Sequence, residues 1–264
     1  MESKNPVFSR SRQQSGGWGA PAPTPDQLQR MYDSPSYAPP AQPAYRTMTL
    51  DDVVVRGFIT LGALVAAAAA AWYFEVPMAV AVGSALVALV LGLVASFKQS
   101  TNPALILAYA VFEGVFLGAL SSLFQSMFGN NIVLQAVLGT AFAFGAMLTV
   151  YSLRIVRVTS KMVKYVMGAA IAALGLVLVN LILGFFVPGG LGLRTDSPIG
   201  WVFSIAMILI GCFFLLLDFD AIEQGVKQGA PEKFAWQCVF GLTLTLVWIY
   251  IEVLRFISYF TSSD

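Results

Sequence analysis

The chain has 264 residues, of which 58% are hydrophobic and only 11% are charged, and its formal net charge is +1. A mean hydropathy of +0.76 lies outside the range of soluble globular proteins and predicts an all-α polytopic membrane protein. The near-neutral charge argues against nucleic acid as a partner, and the absence of histidine excludes Ser-His catalysis and the usual zinc sites. Its two cysteines, Cys212 and Cys238, lie in apolar segments and have neither disulfide nor metal-binding spacing. We therefore expect a protein that is not an enzyme and has no tightly bound cofactor.

Residues 1–46 precede the apolar part of the chain and differ from it in composition. They are rich in Pro, Ser, Gln and Gly, as in "GGWGAPAPTPDQ", and show almost no aliphatic periodicity. Such a segment cannot bury enough apolar surface to fold, which predicts a disordered cytoplasmic tail, with a docking motif as the alternative. No apolar stretch follows the early basic residues, so we expect no signal peptide. A single membrane domain is predicted over residues 47–264.

Seven apolar segments follow, each long enough to be a transmembrane helix. We predict spans at residues 53–74, 78–97, 103–128, 132–153, 162–187, 199–217 and 234–260. Thr49 and Asp52, three residues apart, predict a capping box at the start of the first span. Asn102 and Pro103 predict an N-cap and a proline at the first helical position of the third span.

Basic residues are distributed unequally between the two sides of the predicted bundle. Thirteen Lys and Arg residues fall in the tail, the first cap and the second-to-third, fourth-to-fifth and sixth-to-seventh loops, whereas the other side has Arg194 alone. Since short cytoplasmic loops collect positive charge, we predict a cytoplasmic N-terminus and, after seven spans, an external C-terminus.

Three carboxylates follow an apolar run in "LLLDFDAIEQG", which we predict to be the cytoplasmic end of the sixth span. At about 100° per residue, Asp220 and Glu223 share one helix face, while Asp218 points away from them. Glu223 also has Lys227 four residues later, so Asp220 and Glu223 are expected to be solvated residues at a helix end. Asp218 follows directly on "FFLLL", where a carboxylate is costly unless it faces protein or water, and it is therefore a functional candidate.

Glu113 is a further carboxylate inside the predicted membrane region. It lies ten residues after Pro103, about 15 Å into the third span and close to the middle of the bilayer. Gly114 and Gly118 beside it form a small-xxx-small pair suited to close helix contact. Glu113 is thus either a lining residue of a polar pathway or a structural carboxyl at that contact.

Glu252 is the carboxylate of the last span, where it shares a helix face with Thr245 and Arg255. One interpretation is a local pair of Glu252 with Arg255 that shields both charges from lipid. The other is a polar stripe on a helix surrounded by other helices. Three carboxylates on different spans, in a chain without histidine, indicate cation or proton handling.

Several short motifs occur in order on successive spans: "EGVFLG" in the third, "LLLDFDAIEQG" closing the sixth, and an amphipathic last helix that ends in "LRF". Over about residues 50–260 the chain resembles the Bax inhibitor-1 (TMBIM) family, and from the sixth span onwards it is most similar to the actinobacterial branch. The resemblance implies two layers of three helices around a central C-terminal helix, in a bacterial plasma membrane. It also implies a pH-sensitive calcium leak governed by a hydrogen-bonded pair of aspartates, one on the sixth span and one on the last, with a basic residue near the cytoplasmic end of the second span.

Asp218 matches the first aspartate of that pair. Aligned without gaps from Arg255, the second aspartate falls near Thr245, whereas the carboxylate of the last span, Glu252, lies two turns further along. The possible partners of Asp218 are Glu252 through a shifted register, Glu113 and Lys98, which falls near the basic position. The candidates for the ion path and proton sensing are therefore Asp218, Glu252 and Glu113, with Lys98 and Arg255 as basic partners.

The function expected from these residues and from the resemblance is a pH-sensitive calcium leak channel, which passes Ca²⁺ along a carboxylate-lined path gated by protonation. Carboxylate oxygens suit a hard cation, and two neighbouring carboxyls that share a proton would let a protein without histidine respond to pH. The expected partners are the lipid bilayer, Ca²⁺ and protons. The alternatives are a non-conducting membrane regulator that binds a membrane protease or a stress-response partner, and a proton-coupled cation exchanger.

The predicted topology is testable by cysteine labelling in intact cells. A cysteine at Ser197, in the connection between the fifth and sixth spans, should react with a membrane-impermeant thiol reagent, whereas a cysteine at Ser36 should not. Labelling of position 36 without labelling of position 197 would show that the orientation is reversed.

Overall fold

A computed structural model describes residues 24–26, 29, 46–129 and 131–261 of the chain. The chain divides into two units, residues 1–44 and residues 45–264. Only residues 24–26 and 29 of the first unit are described, so the predicted disordered tail lies otherwise outside the described residues. In the second unit the described residues form seven helices and no strand.

The seven helices confirm the all-α prediction, because each of them is long and apolar enough to cross a membrane. They are α1 (Leu50–Tyr73), α2 (Met78–Phe97), α3 (Pro103–Phe128), α4 (Ile132–Ser152), α5 (Ser160–Gly184), α6 (Pro198–Lys227) and α7 (Phe234–Thr261). Since the connections are short, consecutive helices run in opposite directions. We call the end of the bundle at which α1 begins the proximal end, and the opposite end the distal end.

Polar residues cap the starts of several helices. The hydroxyl of Thr49 accepts a 3.3 Å hydrogen bond from the N–H of Asp52, whose carboxylate accepts one of 3.0 Å from the N–H of Thr49, which is the predicted capping box. Asn102 caps α3 and Pro103 occupies its first position, also as predicted. Thr159 caps α5, which therefore begins two residues earlier than the sequence indicated.

The sixth helix extends furthest beyond its predicted span, because it ends at Lys227 whereas the span was predicted to end at Leu217. The carboxylates of "DFDAIEQG" lie within the helix, as their predicted helix faces required. The prediction ended the span where its hydrophobicity ends, but acidic residues are compatible with a helix, which continues until the backbone is diverted. That occurs at Gly229, which has a φ of +66°, and the N–H of Ala230 donates to the carbonyl of Gly225 at 2.9 Å.

The last helix, α7, lies at the centre of the bundle. It packs against α1, α3, α4 and α6. Of the 18-residue apolar stretch by which it could cross a membrane, 56% is buried, compared with 11% for α4 and for α5. α1 and α2 both pack on α3, while α4 and α5 both pack on α6. The six outer helices thus form two sets of three around α7, as the family resemblance implied.

Close contact between α1 and α3 depends on two glycines of α3. A Cβ atom built on Gly114 would lie 2.3 Å from the carbonyl oxygen of Leu64, and one built on Gly118 would lie 2.2 Å from the carbonyl oxygen of Ala68. Backbone oxygens cannot move aside as the end of a side chain can, so only glycine permits this approach. The small-xxx-small pair predicted from the sequence is therefore the contact surface for α1.

Replacing Gly118 by alanine should push α1 and α3 apart and destabilise the protein by about 1–3 kcal/mol, the usual cost of overpacking. The apparent melting temperature of the purified protein in detergent should fall accordingly. Gly62→Ala is a matched control on α1, because a Cβ at Gly62 meets no atom within 4 Å. Equal melting temperatures for the two variants would show that the α1–α3 contact does not require Gly118.

Candidate functional site

Asp218 lies at the contact between α6 and the central helix. It is nine residues from Lys227, the last residue of α6, and therefore about 14 Å from the proximal end of that helix. Its Oδ2 atom accepts a 2.7 Å hydrogen bond from Oγ1 of Thr245 in α7. Thr245 is buried and Asp218 is half-buried. The pair thus joins α6 to α7 within the membrane-crossing part of both helices.

The surface of α7 that faces Asp218 consists of Cys238, Gly241 and Thr245. A Cβ atom built on Gly241 would lie 3.1 Å from Oδ1 of Asp218, so the glycine leaves the space in which the carboxylate lies. Cys238, one turn earlier, is buried and within electrostatic reach of the same carboxylate. Spacings of three and four residues place all three α7 residues on one helix face.

A carboxyl paired with a hydroxyl differs chemically from a pair of carboxyls. Two carboxyls hydrogen-bond to each other only while one of them holds a proton. A threonine hydroxyl donates to an ionised carboxylate and accepts from a protonated one, so the hydrogen bond between Thr245 and Asp218 is available in both protonation states. Carboxylate and hydroxyl oxygens are also hard ligands of the kind that Ca²⁺ prefers.

Asp220 and Glu223 lie on a different face of α6, as the sequence predicted. Glu223 accepts hydrogen bonds from Lys227, the predicted i+4 pair, and from the hydroxyl of Tyr151 in α4. Both carboxylates line a surface cavity of about 250 Å³, to which Arg154 contributes a positive charge. Asp220 and Glu223 thus have basic neighbours at the surface, apart from the contact between α6 and α7.

Glu113 occupies its predicted depth in α3, ten residues after Pro103. Its side chain is half-buried and makes no hydrogen bond or ion pair with any residue that the structure describes. Tyr109, one turn earlier on the same face, packs edge-on against Phe240 of α7, with 5.1 Å between the ring centroids. Glu113 is therefore an unpaired carboxylate on the α3 side of the bundle, separate from the pair formed by Asp218.

Glu252 lies near the distal end, and the structure does not bring it to Asp218. Its Oε1 atom accepts a 3.0 Å hydrogen bond from Nη1 of Arg255, the predicted local pair, and one of 3.3 Å from Nη2 of Arg194. Arg194 belongs to the connection between α5 and α6. The side chain of Glu252 is only 6% exposed, so two guanidinium groups compensate a carboxylate that is almost fully removed from solvent.

Among the candidate partners of Asp218, the structure places none beside it. Lys98 is exposed at the C-terminal end of α2 and has no ion pair within the described part of the chain. The residue that does bond to Asp218 is Thr245, which the gap-free register from Arg255 had placed opposite it. Because a second carboxylate was expected, the sequence did not identify this hydroxyl as the partner of Asp218, although the register already placed it there. The sequence also did not identify Arg194 as a partner of Glu252. The available indication was that Arg194 is the one basic residue counted on its side of the predicted bundle.

Comparison with known proteins identifies the family of the chain. A family model described as "Bax inhibitor 1 like" matches residues 5–262. The match begins upstream of residue 50, so the expectation that the resemblance is confined to about residues 50–260 was too narrow. A comparison with curated proteins found no match. Because the family model covers almost the whole chain and the fold has seven membrane-spanning helices, the chain is a multi-pass membrane protein that belongs to the Bax inhibitor 1-like family.

Proposed function

We propose that this protein is a calcium leak channel of a plasma membrane, in which Ca²⁺ passes beside Asp218 and protonation of Asp218 closes the path. The observation that carries the proposal is the hydrogen bond from Thr245 to Asp218, which places a carboxylate between two membrane-crossing helices. Ionisable residues at such positions are costly and commonly belong to ion or proton pathways. The proposal includes a cytoplasmic N-terminus, no enzymatic activity and no bound cofactor other than the transported ion.

A small number of oxygen ligands favours conduction over storage of the ion. Among the residues that the structure describes, no three His, Cys, Asp or Glu side chains converge on one point. A fixed calcium site takes about 6–8 oxygen ligands, whereas conduction requires sites weak enough to release the ion. The carboxylate of Asp218 with the hydroxyl of Thr245 fits such a weak site, and Glu113 offers a separate carboxylate on α3.

The gating step follows from the charge of Asp218. Ionised, the carboxylate attracts a cation into the contact between α6 and α7; protonated, it is neutral and remains hydrogen-bonded to Thr245. Protonation therefore removes the attraction for the ion and leaves the helices joined. Since one carboxyl titrates at this contact, we expect the response to pH to involve one proton, where a pair of carboxyls would titrate as a coupled unit.

Asp218→Asn retains the size of the side chain but removes the titrating group. In liposomes that contain only the purified protein and a calcium indicator, the flux should lose its dependence on pH between about 6 and 8, because no carboxyl remains at this contact to take up a proton. Asp220→Asn is the matched control, because its carboxylate lines the surface cavity and should leave the pH profile unchanged. A full pH response in Asp218→Asn would end the gating hypothesis.

Thr245→Asp would convert the carboxyl–hydroxyl contact into a pair of carboxyls. Because two ionised carboxyls repel each other, the pair takes up its closing proton more readily, and the pH midpoint of the flux should lie higher than in the unmodified protein. Thr245→Val removes the hydroxyl at nearly constant volume and adds no second charge, so its midpoint should move less. An identical midpoint in all three proteins would show that position 245 does not face the titrating group during conduction.

The same liposome measurement separates the alternative functions. An absence of calcium flux from folded protein at every pH would favour a non-conducting regulator. A flux that requires an opposing proton or cation gradient would identify an exchanger. A flux that runs down the calcium gradient alone is the result expected of a leak channel.

A further inference from the structure

The segment that precedes α1 is attached to the connection between α6 and α7. Residues 46–49, which we call the strap, lie beside residues 230–232, and Thr47 pairs with Pro231 in an antiparallel bridge. The N–H of Met48 donates to the carbonyl of Ala230 at 2.8 Å, and the N–H of Glu232 donates to the carbonyl of Arg46 at 2.9 Å. Two backbone hydrogen bonds therefore hold the strap against this connection.

The side chain of Met48 points into the bundle from the strap. It is only 2% exposed and belongs to a packed cluster that includes Ile222 of α6 and Cys238 and Val239 of α7. A Cβ atom built on Gly225 would lie 2.8 Å from Cε of Met48, so the glycine leaves the space that the methionine end fills. Met48 is thus a buried plug at the proximal end of the contact between α6 and α7.

Charged residues fasten the strap from outside the plug. Arg56 of α1 donates to the backbone carbonyl of Glu232 at 2.8 Å and forms an ion pair with its carboxylate. Arg46 of the strap lies 3.1 Å from the carboxylate of Asp52 and 3.7 Å from that of Glu232. Arg46 is 67% exposed and Glu232 is 32% exposed, so water and salt reach part of this network.

The plug lies directly between the Asp218 pair and the proximal end. Ile222 follows Asp218 by one turn on α6, and Cys238 precedes Gly241 and Thr245 on the same face of α7. The cluster that contains Met48 therefore lies one helical turn from Asp218, on its proximal side, in the contact between α6 and α7. An ion that left Asp218 towards the proximal end would have to displace this cluster.

We propose that the strap is a gate for the proximal end of the Asp218 path, with Met48 as the plug and the ion pair between Arg56 and Glu232 as its fastener. The gate opens when the strap leaves the α6–α7 connection, which withdraws Met48 and uncovers Cys238. That Ca²⁺ passes the opened gate rests on the proposed function, whereas the movement of the strap does not depend on it. The test therefore measures the movement separately from the ion flux.

Cys238 is a native reporter of this movement, because it is 8% exposed and lies in the cluster around Met48. In a Cys212→Ser background it is the one thiol, and its rate of reaction with N-ethylmaleimide can be followed by mass spectrometry of the full-length protein. Glu232→Gln removes the ion pairs of Glu232 with Arg56 and Arg46 without touching the cluster, and should raise the rate about two- to fivefold, as expected for the loss of partly exposed ion pairs. Lys233→Gln is the matched control, since this neighbouring side chain is exposed and has no ion pair within the described part of the chain.

Two further measurements keep the proposal testable if one variant folds poorly. Met48→Ala should also accelerate the labelling of Cys238. Raising the ionic strength from about 0.05 M to about 0.5 M should do so without any mutation of the strap, because salt screens the partly exposed ion pairs of Glu232. Labelling rates of folded Glu232→Gln and Met48→Ala protein that equal the control would overturn the gate. A labelling rate of Cys238 that does not change at high salt would also count against the gate.

Calcium flux through the same variants in liposomes then separates the two proposals. Faster labelling together with greater flux supports both the gate and the leak channel. Faster labelling with no flux in any variant supports the movement of the strap and refutes the calcium channel. Unchanged labelling with a normal pH-dependent flux refutes the gate and leaves the channel supported.

Discussion

Polar groups inside the membrane part of a helical protein are costly to leave without partners, and several of those that the structure describes form their hydrogen bonds with α7. Tyr250 shares a 2.6 Å hydrogen bond with Ser121 of α3, and Nε1 of Trp248 donates to the carbonyl of Met207 in α6 at 3.2 Å. Thr245 adds a second contact to α6. Since each contact fixes the depth and rotation of α7 against a neighbour, polar bonding as well as apolar packing holds this helix at the centre.

Glu252 of α7 and Asp218 of α6, which contacts α7, differ in how their negative charge is compensated. Glu252 lies between Arg194 and Arg255, so its negative charge is neutralised and it fixes the connection between α5 and α6 to the central helix. Asp218 faces a neutral hydroxyl and has no ion pair within the described part of the chain, so its protonation changes the local charge. This contrast supports the proposed proton-dependent role of Asp218 and favours a structural role for Glu252.

The helices are joined by contacts of two physical kinds. α1 and α3 meet backbone to backbone at Gly114 and Gly118, where any side chain would collide. At the proximal end, α1 is joined to α6 and α7 by the strap, through hydrogen bonds and partly exposed ion pairs. The opening that we propose for the strap breaks only contacts of the second kind.

Local sequence determined the spans, several of the caps and the glycine pair, because hydropathy, capping and the need for small residues depend on neighbours along the chain. The same information ended the sixth span ten residues before its helix ends, since hydropathy indicates where the apolar run stops and not where the backbone turns at Gly229. The register from Arg255 had placed Thr245 opposite Asp218, but the tertiary structure decided that these two side chains bond, that Arg194 reaches Glu252 and that the strap covers the proximal end. Each of these contacts joins elements whose relative depth and rotation are set by packing against α7, which no local pattern encodes.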